Sequence, residues 1–374
     1  MRGDTKAGNS FLYMFKAIAC ILVIFIHCLF PGPFGKDVQA LSRFAVLYFF
    51  VISGRFLLKD LPIGTDPAII RKRMLSKISH LAVITLSLTL LYNVYSLIIA
   101  GTVGYGIKDL ASQKYNLHEL WLLFVFNSGK IIYDYTYDID HLWYLYAVLY
   151  VFVLVFIFSK YAKKWSGFLS LFFTGMLFFA ELLQLYYPIR PFDISIRTWY
   201  VVRNWLLEGI PFIMGGVWLD SVVNDARKSR AADAVRRVIQ SCTFSTSARK
   251  NRIILHILAV TGLIMSVVEY RRFGDMTVYA GSVVTLVAVM LLGEVYGQLH
   301  NRFAVPFYLY HLGKDLSASV YYFHIMIISI ISRLFYIYDG KELLSWLKPL
   351  IAVAASVIVA EVICYFKHKL KMGK

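Results

Sequence analysis

Long apolar runs recur from residue 11 to residue 366, separated by short polar segments. Roughly 20 residues rising about 1.5 Å each cross a bilayer core of about 30 Å. Ten runs come near that length: 11–30, 43–58, 78–100, 141–158, 166–187, 203–219, 253–270, 277–293, 317–334 and 344–366. The pattern predicts an all-α fold, a polytopic transmembrane helical bundle of about ten spans. The stretch LHELWLLFVFN at 117–127 is too short to cross and is expected to lie at the interface or to re-enter. With no internal repeat or Gly-rich phosphate loop, a single membrane domain over 1–374 is expected, with no appended soluble domain. The first run carries Lys16 and is not followed by a small-residue cleavage site, so it is not expected to be a removable leader.

The polar residues that interrupt these runs are the candidates for chemistry, because ionisable groups inside a membrane are costly and tend to face a protein interior or a wet cavity. Lys16 and His27 lie in the first run. Eleven steps at about 100° each return a helix to within roughly 20° of its start, so the two share a face about 16 Å apart along the axis. The competing reading is that Lys16 snorkels to the headgroups and His27 sits at the opposite interface. Arg43 opens the second span, either as an interface anchor or as a binding residue, and Ser53-Gly54 would allow a close approach near its other end. Asp140-His141 stand at the entrance of the fourth span, where a His serves in packing or in proton transfer. In RNWLLEGIPFIMGG, Arg203 and Glu208 fall within a span that Pro211 can kink and Gly215-Gly216 can pack closely. His324 lies well inside the ninth span, as a satisfied core residue or as part of a site.

Composition fits this picture. Hydrophobic residues make up 59% and charged residues 16%, against about 25% charged in soluble domains. The net charge of +17 would suggest nucleic acid, but its placement argues otherwise. With the N-terminus cytoplasmic, 24 of the 39 Lys and Arg fall in cytoplasmic segments and nine in outer loops. That bias predicts both termini in the cytoplasm and needs no nucleic-acid partner. Arg71, Lys72, Arg73 and Lys77 crowd the first cytoplasmic loop, as topology signal or as a clamp for a phosphorylated cytosolic ligand. The four Cys have no metal-type spacing, and H-E-x-x-H, C-x-x-C and G-x-S-x-G are absent, so neither metal nor serine-hydrolase chemistry is indicated.

KAIACILVIFIH, LSRFAVLYFFVISG, the basic first loop, HLWYL, RNWLLEGIPFIMGG and YYFHI follow one another in an order that resembles the acyltransferase-3 family of bacterial ten-helix membrane acyltransferases. Lys16 and His27 fit that family's first-span pattern of a basic residue, ten others and a His, with Lys where many members have Arg. The loop RKRMLSK matches the family's R-x-x-R loosely, which leaves open which of Arg71, Arg73 and Lys77 takes that role. The resemblance implies transfer of an acyl group, usually acetyl, from cytosolic acyl-CoA to a hydroxyl on a carbohydrate or cell-envelope acceptor, at the cell membrane. Acyl-CoA, with acetyl-CoA as the expected form, is then a substrate, and no bound cofactor or metal is expected. His27 is expected to act as general base or as a transient acyl carrier. Lys16 is grouped with it as catalytic. Arg43, Arg71, Arg73, Lys77, Asp140, His141, Arg203, Glu208 and His324 are expected to contact substrates. A transporter or flippase of a polar solute or lipid-linked sugar, using Lys16, Glu181, Glu208, His324 and Glu361, is the alternative from another class.

Overall fold

The computed structural model describes residues 6–102, 104, 106–133, 139–190, 202–225, 229–299, 305–336 and 342–372. Among these the regular structure is helical throughout, with no strand. The helices are α1 (Lys6–His27), α2 (Gly32–Ser42), α3 (Phe44–Arg55), α4 (Pro67–Thr102), α5 (Ile107–Lys114), α6 (Leu117–Phe126), α7 (Trp143–Ile157), α8 (Ala162–Tyr186), α9 (Ile210–Asn224), α10 (Arg230–Thr243), α11 (Ala248–Phe273), α12 (Ala280–Gln298), α13 (Phe307–His311), α14 (Ser317–Tyr336) and α15 (Glu342–Met372). A 3₁₀ turn (Asp140–Leu142) leads into α7, and π turns precede α9 (Trp205–Gly209) and α14 (Leu312–Leu316). Ten helical runs are long and apolar enough to cross a bilayer, as expected of a multi-pass membrane protein. The helix Leu117–Phe126 is too short to join them.

Element ends depart from the sequence reading in three places. The second run begins at Gly32, and the chain breaks at Arg43 before continuing as α3. The basic cluster is not in a loop. Asp66 caps α4 by accepting the Ala68 N–H (2.8 Å), and Pro67 presets the first turn, so Arg71, Lys72, Arg73 and Lys77 are helical. Between α9 and α11 lies the amphipathic α10, which Ser229 caps by accepting the Ala232 N–H (3.1 Å). The ninth run starts at Phe307, so Lys314 lies within it rather than in a connection.

The helices form two compact units, residues 1–49 with 228–374, and residues 50–227. In the first unit α1 is central, packing against α2, α12, α13, α14, α15 and the π turn Leu312–Leu316. In the second unit 72% of the most apolar stretch of Trp205–Asn224 is buried, against 11% for Ala162–Tyr186, which makes α9 the inner helix and α8 a peripheral one. Glycines set the contact of α9 with the end of α3. A Cβ on Gly54 would lie 1.9 Å from the Ile213 carbonyl oxygen, and one on Gly216 would lie 2.1 Å from that of Val51. Each backbone occupies the space a side chain would need.

Candidate functional site

In the first unit the relevant groups gather around α1. Lys16 and His27 occupy one continuous helix and are partly buried. The His27 ring lies 5.5 Å, centre to centre, from that of His324 on α14. His324 is buried, and its Nδ1 is 2.8 Å from the Tyr321 carbonyl oxygen and 3.2 Å from that of Val320. A carbonyl only accepts, so Nδ1 is the donor in these contacts. The π turn Leu312–Leu316 meets α1 backbone to backbone one turn before Lys16, since a Cβ on Gly313 would lie 1.8 Å from the Tyr13 carbonyl oxygen. Asp315 in that turn pairs with His311 (2.9 Å), which reaches Glu361 on α15 (3.3 Å). Arg43, at the break between α2 and α3, is buried and joined to Asp275 (2.9 Å). That ion pair accounts for Arg43 as a link between segments of the unit.

In the second unit, four residues singled out from sequence converge with one that was missed. The π turn Trp205–Gly209 is built by asparagines. Asn204 caps it by accepting the N–H groups of Leu206 and Leu207, both at 2.9 Å. Asn127 sits in the left-handed region with φ 45°, accepts the Trp205 N–H (2.7 Å) and donates to the Trp143 carbonyl (3.2 Å). These bonds hold Arg203 and Glu208, both buried, beside the start of α7. The Arg203 guanidinium lies over the Trp143 ring at 5.1 Å and near the Tyr133 ring at 6.0 Å. Tyr133 also feels the charges of Asp140 and Glu208. Burial pushes the Tyr133 phenol above its usual range, with Arg203 acting the other way, so it stays a neutral hydroxyl at physiological pH. His141 is buried, its ring edge-on to Tyr92 at 4.8 Å. Charge, hydroxyl and aromatic faces close together are the surfaces that recognise a polyhydroxylated ligand.

Apart from this cluster, a cavity of about 630 Å³ in the same unit is lined by Phe56, Lys59, Asp60, Ile69, Lys72, Arg73, Ser76 and Lys77. Arg73 and Lys77 are thus brought together as the sequence suggested. Arg71 is directed elsewhere, its Nε donating to the Ser159 hydroxyl at 3.1 Å. The reason is helical spacing, since residues 73, 76 and 77 share a face of α4 that residue 71 does not. Lys72, a member of the same sequence cluster, and Lys59, which was not singled out from sequence as a ligand contact, take its place. Lys59 also lies 5.9 Å from the Phe56 ring centre. Four cations beside an apolar wall suit a ligand with phosphates and a flat apolar part.

The acyltransferase domain family matches residues 9–365 of the chain. No curated protein and no solved structure matches it. A match over nearly the whole length, on a helical fold with ten apolar runs, means that the chain belongs to the acyltransferase 3 family and is a multi-pass membrane acyltransferase.

Proposed function

We propose that the protein transfers an acyl group, with acetyl as the working assignment, from cytosolic acyl-CoA to a hydroxyl of a carbohydrate or other cell-envelope acceptor in the cell membrane. The observation that carries this reading is the pair of imidazoles His27 and His324 inside a chain of an acyltransferase family. In the proposed step His27 accepts the proton of the acceptor hydroxyl while its oxygen attacks the thioester carbonyl. A C–O bond forms, the C–S bond breaks, and the proton passes from His27 to the CoA sulfur. A base with an unperturbed pKa near 6.5 suits this transfer, which typically contributes about 10²–10⁴-fold. In this reading His324 orients the pair, because its Nδ1–H is committed to a backbone carbonyl and its buried ring packs 5.5 Å from that of His27. Lys16 adds positive charge on the same helix face for the oxyanion of the tetrahedral intermediate.

The cations Lys59, Lys72, Arg73 and Lys77 take the donor's phosphates in this reading. Asp140, His141, Arg203, Glu208 and Tyr133 take the acceptor. The basic cavity and both termini then face the cytosol, in accord with the excess of Lys and Arg in those segments.

The test is His27→Ala in a strain whose envelope glycans are followed by mass spectrometry, with labelled acyl-CoA supplied to isolated membranes. Label should enter product with the native chain and fall to background in the variant at equal membrane expression. Full incorporation by the variant would remove His27 from the chemistry. Solute movement with no labelled product from the native chain would favour the transporter reading. An acyl group trapped on His27 would replace the general-base step by a covalent one.

A further inference from the structure

The second unit holds a buried ion cluster that the acyl-transfer chemistry does not use. Arg55 is paired with Asp220, and Lys163 with both Asp220 (3.1 Å) and Asp225 (2.7 Å). The four side chains are between 1% and 8% exposed, and Asn224 donates to Asp220 as well (2.8 Å). Three of the charges are badly placed for their own helices. Asp220 and Asp225 lie at the C-terminal end of α9, where the helix dipole disfavours an anion, and Lys163 lies in the first turn of α8, where it disfavours a cation. Burying such a cluster costs desolvation that its attraction barely recovers, and isosteric apolar residues often replace such clusters without loss of stability. Its geometry is therefore better explained by what it holds in place.

What it holds is the connection from α3 to α4. Lys163 donates to the Leu61 carbonyl, and Arg73 donates to that of Lys59. Between these two anchors Asp60 has a φ of +66°, a left-handed conformation that is uncommon for residues with a side chain and that Asp tolerates better than most. Phe56, Lys59 and Asp60 in this segment line the basic cavity together with Arg73 of α4. The Gly54 and Gly216 contacts bring Arg55 and Asp220 to the same level of the two helices.

The geometry points to Lys163, with Asp220, Asp225 and Arg55, as positioning residues that preset the wall carrying Phe56 and Lys59 for the phosphorylated donor. This rests on the reading of the basic cavity as the acyl-CoA site. The cluster touches no reacting atom. It keeps the cations at a fixed spacing before the ligand arrives, so that binding does not have to order the segment.

The test uses the full chain in lipid nanodiscs with coenzyme A as the probe. The double variant Lys163→Met/Asp225→Asn removes one charge of each sign and leaves Arg55 with Asp220, so no buried charge is abandoned. Expected are a rise of about tenfold in the coenzyme A Kd and faster amide exchange over residues 56–62 without ligand, while exchange in α7 stays as in the native chain. Lys163→Arg, which keeps a donor for the Leu61 carbonyl, should restore both. Native affinity and native exchange in the double variant would overturn the proposal. Faster exchange throughout the unit would overturn it too, since the cluster would then serve general stability. Lys72→Ala and Lys77→Ala test the underlying reading separately. If they leave the coenzyme A affinity unchanged, the cavity is not the donor site. If they weaken binding while the double variant does not, only the positioning role fails.

Discussion

Gly216→Ala tests whether α9 and the end of α3 touch at their backbones. A Cβ at that position would lie 2.1 Å from the Val51 carbonyl oxygen and 2.6 Å from the Arg55 nitrogen, and side-chain carbons essentially never come within 3.0 Å. The obstacle is main chain, which cannot rotate away, so the helices must part by roughly 1 Å, and overpacking of this kind costs about 1–3 kcal/mol or more. Helix propensity returns at most about 1 kcal/mol for Gly→Ala. Gly54→Ala meets the same difficulty from the other side, at 1.9 Å from the Ile213 carbonyl oxygen. Gly175→Ala on α8 is the control, because a Cβ there meets nothing within 4 Å and the site is exposed. It should be neutral or stabilising by up to about 1 kcal/mol. The assay is heating in detergent followed by size-exclusion fluorescence, with the midpoint compared across the three variants. The expected order is Gly175→Ala at or above native, and Gly216→Ala and Gly54→Ala clearly below. A Gly216→Ala protein as stable as Gly175→Ala would refute the close packing and, with it, the alignment of Arg55 with Asp220.

Two further predictions concern the candidate site. Arg73→Ala and Lys77→Ala should each raise the apparent donor KM roughly tenfold, less in high salt because exposed charges are screened over about 10 Å at 0.1 M. Arg71→Ala should leave it native, since that guanidinium is turned to Ser159, and equal effects in all three would mean the cluster acts only through its total charge. His324→Gln should lower the rate at saturating donor at least tenfold with little change in donor KM. A native rate would reduce His324 to core packing.

The helices were legible because bilayer crossing imposes a length and an apolarity that few other constraints mimic. Lys16 and His27 were legible as members of one helix, and the close approach at Gly54 and Gly216 followed from the small size of glycine. The basic cluster was placed in a loop because the apolar run begins only at residue 78, yet the Asp66 cap and Pro67 start α4 ahead of it. Once helical, the cluster divides by face, which is why Arg71 separates from Arg73 and Lys77. Lys59 could not be assigned to the cavity, because only the left-handed turn at Asp60 folds it back against α4. Tyr133 carries no sequence signal among so many tyrosines. Arg43 read as a membrane anchor or a ligand contact, and its partner Asp275 lies 232 positions away.

The two π turns bear on how the charged residues are tolerated. Each adds a residue to a helical turn, which shifts the following register and is favoured by neither packing nor hydrogen-bond geometry. Each falls where an apolar run carries ionisable groups, Glu208 in one and Lys314-Asp315 in the other. In the first unit the π turn presses Gly313 against the backbone of α1 at Tyr13, one turn before Lys16. Asp315 in the same turn is 2.9 Å from His311, and His311 is 3.3 Å from Glu361 on α15. The irregular turn thus ties α1 and α15 together at the level of Lys16, on the helix that ends in His27.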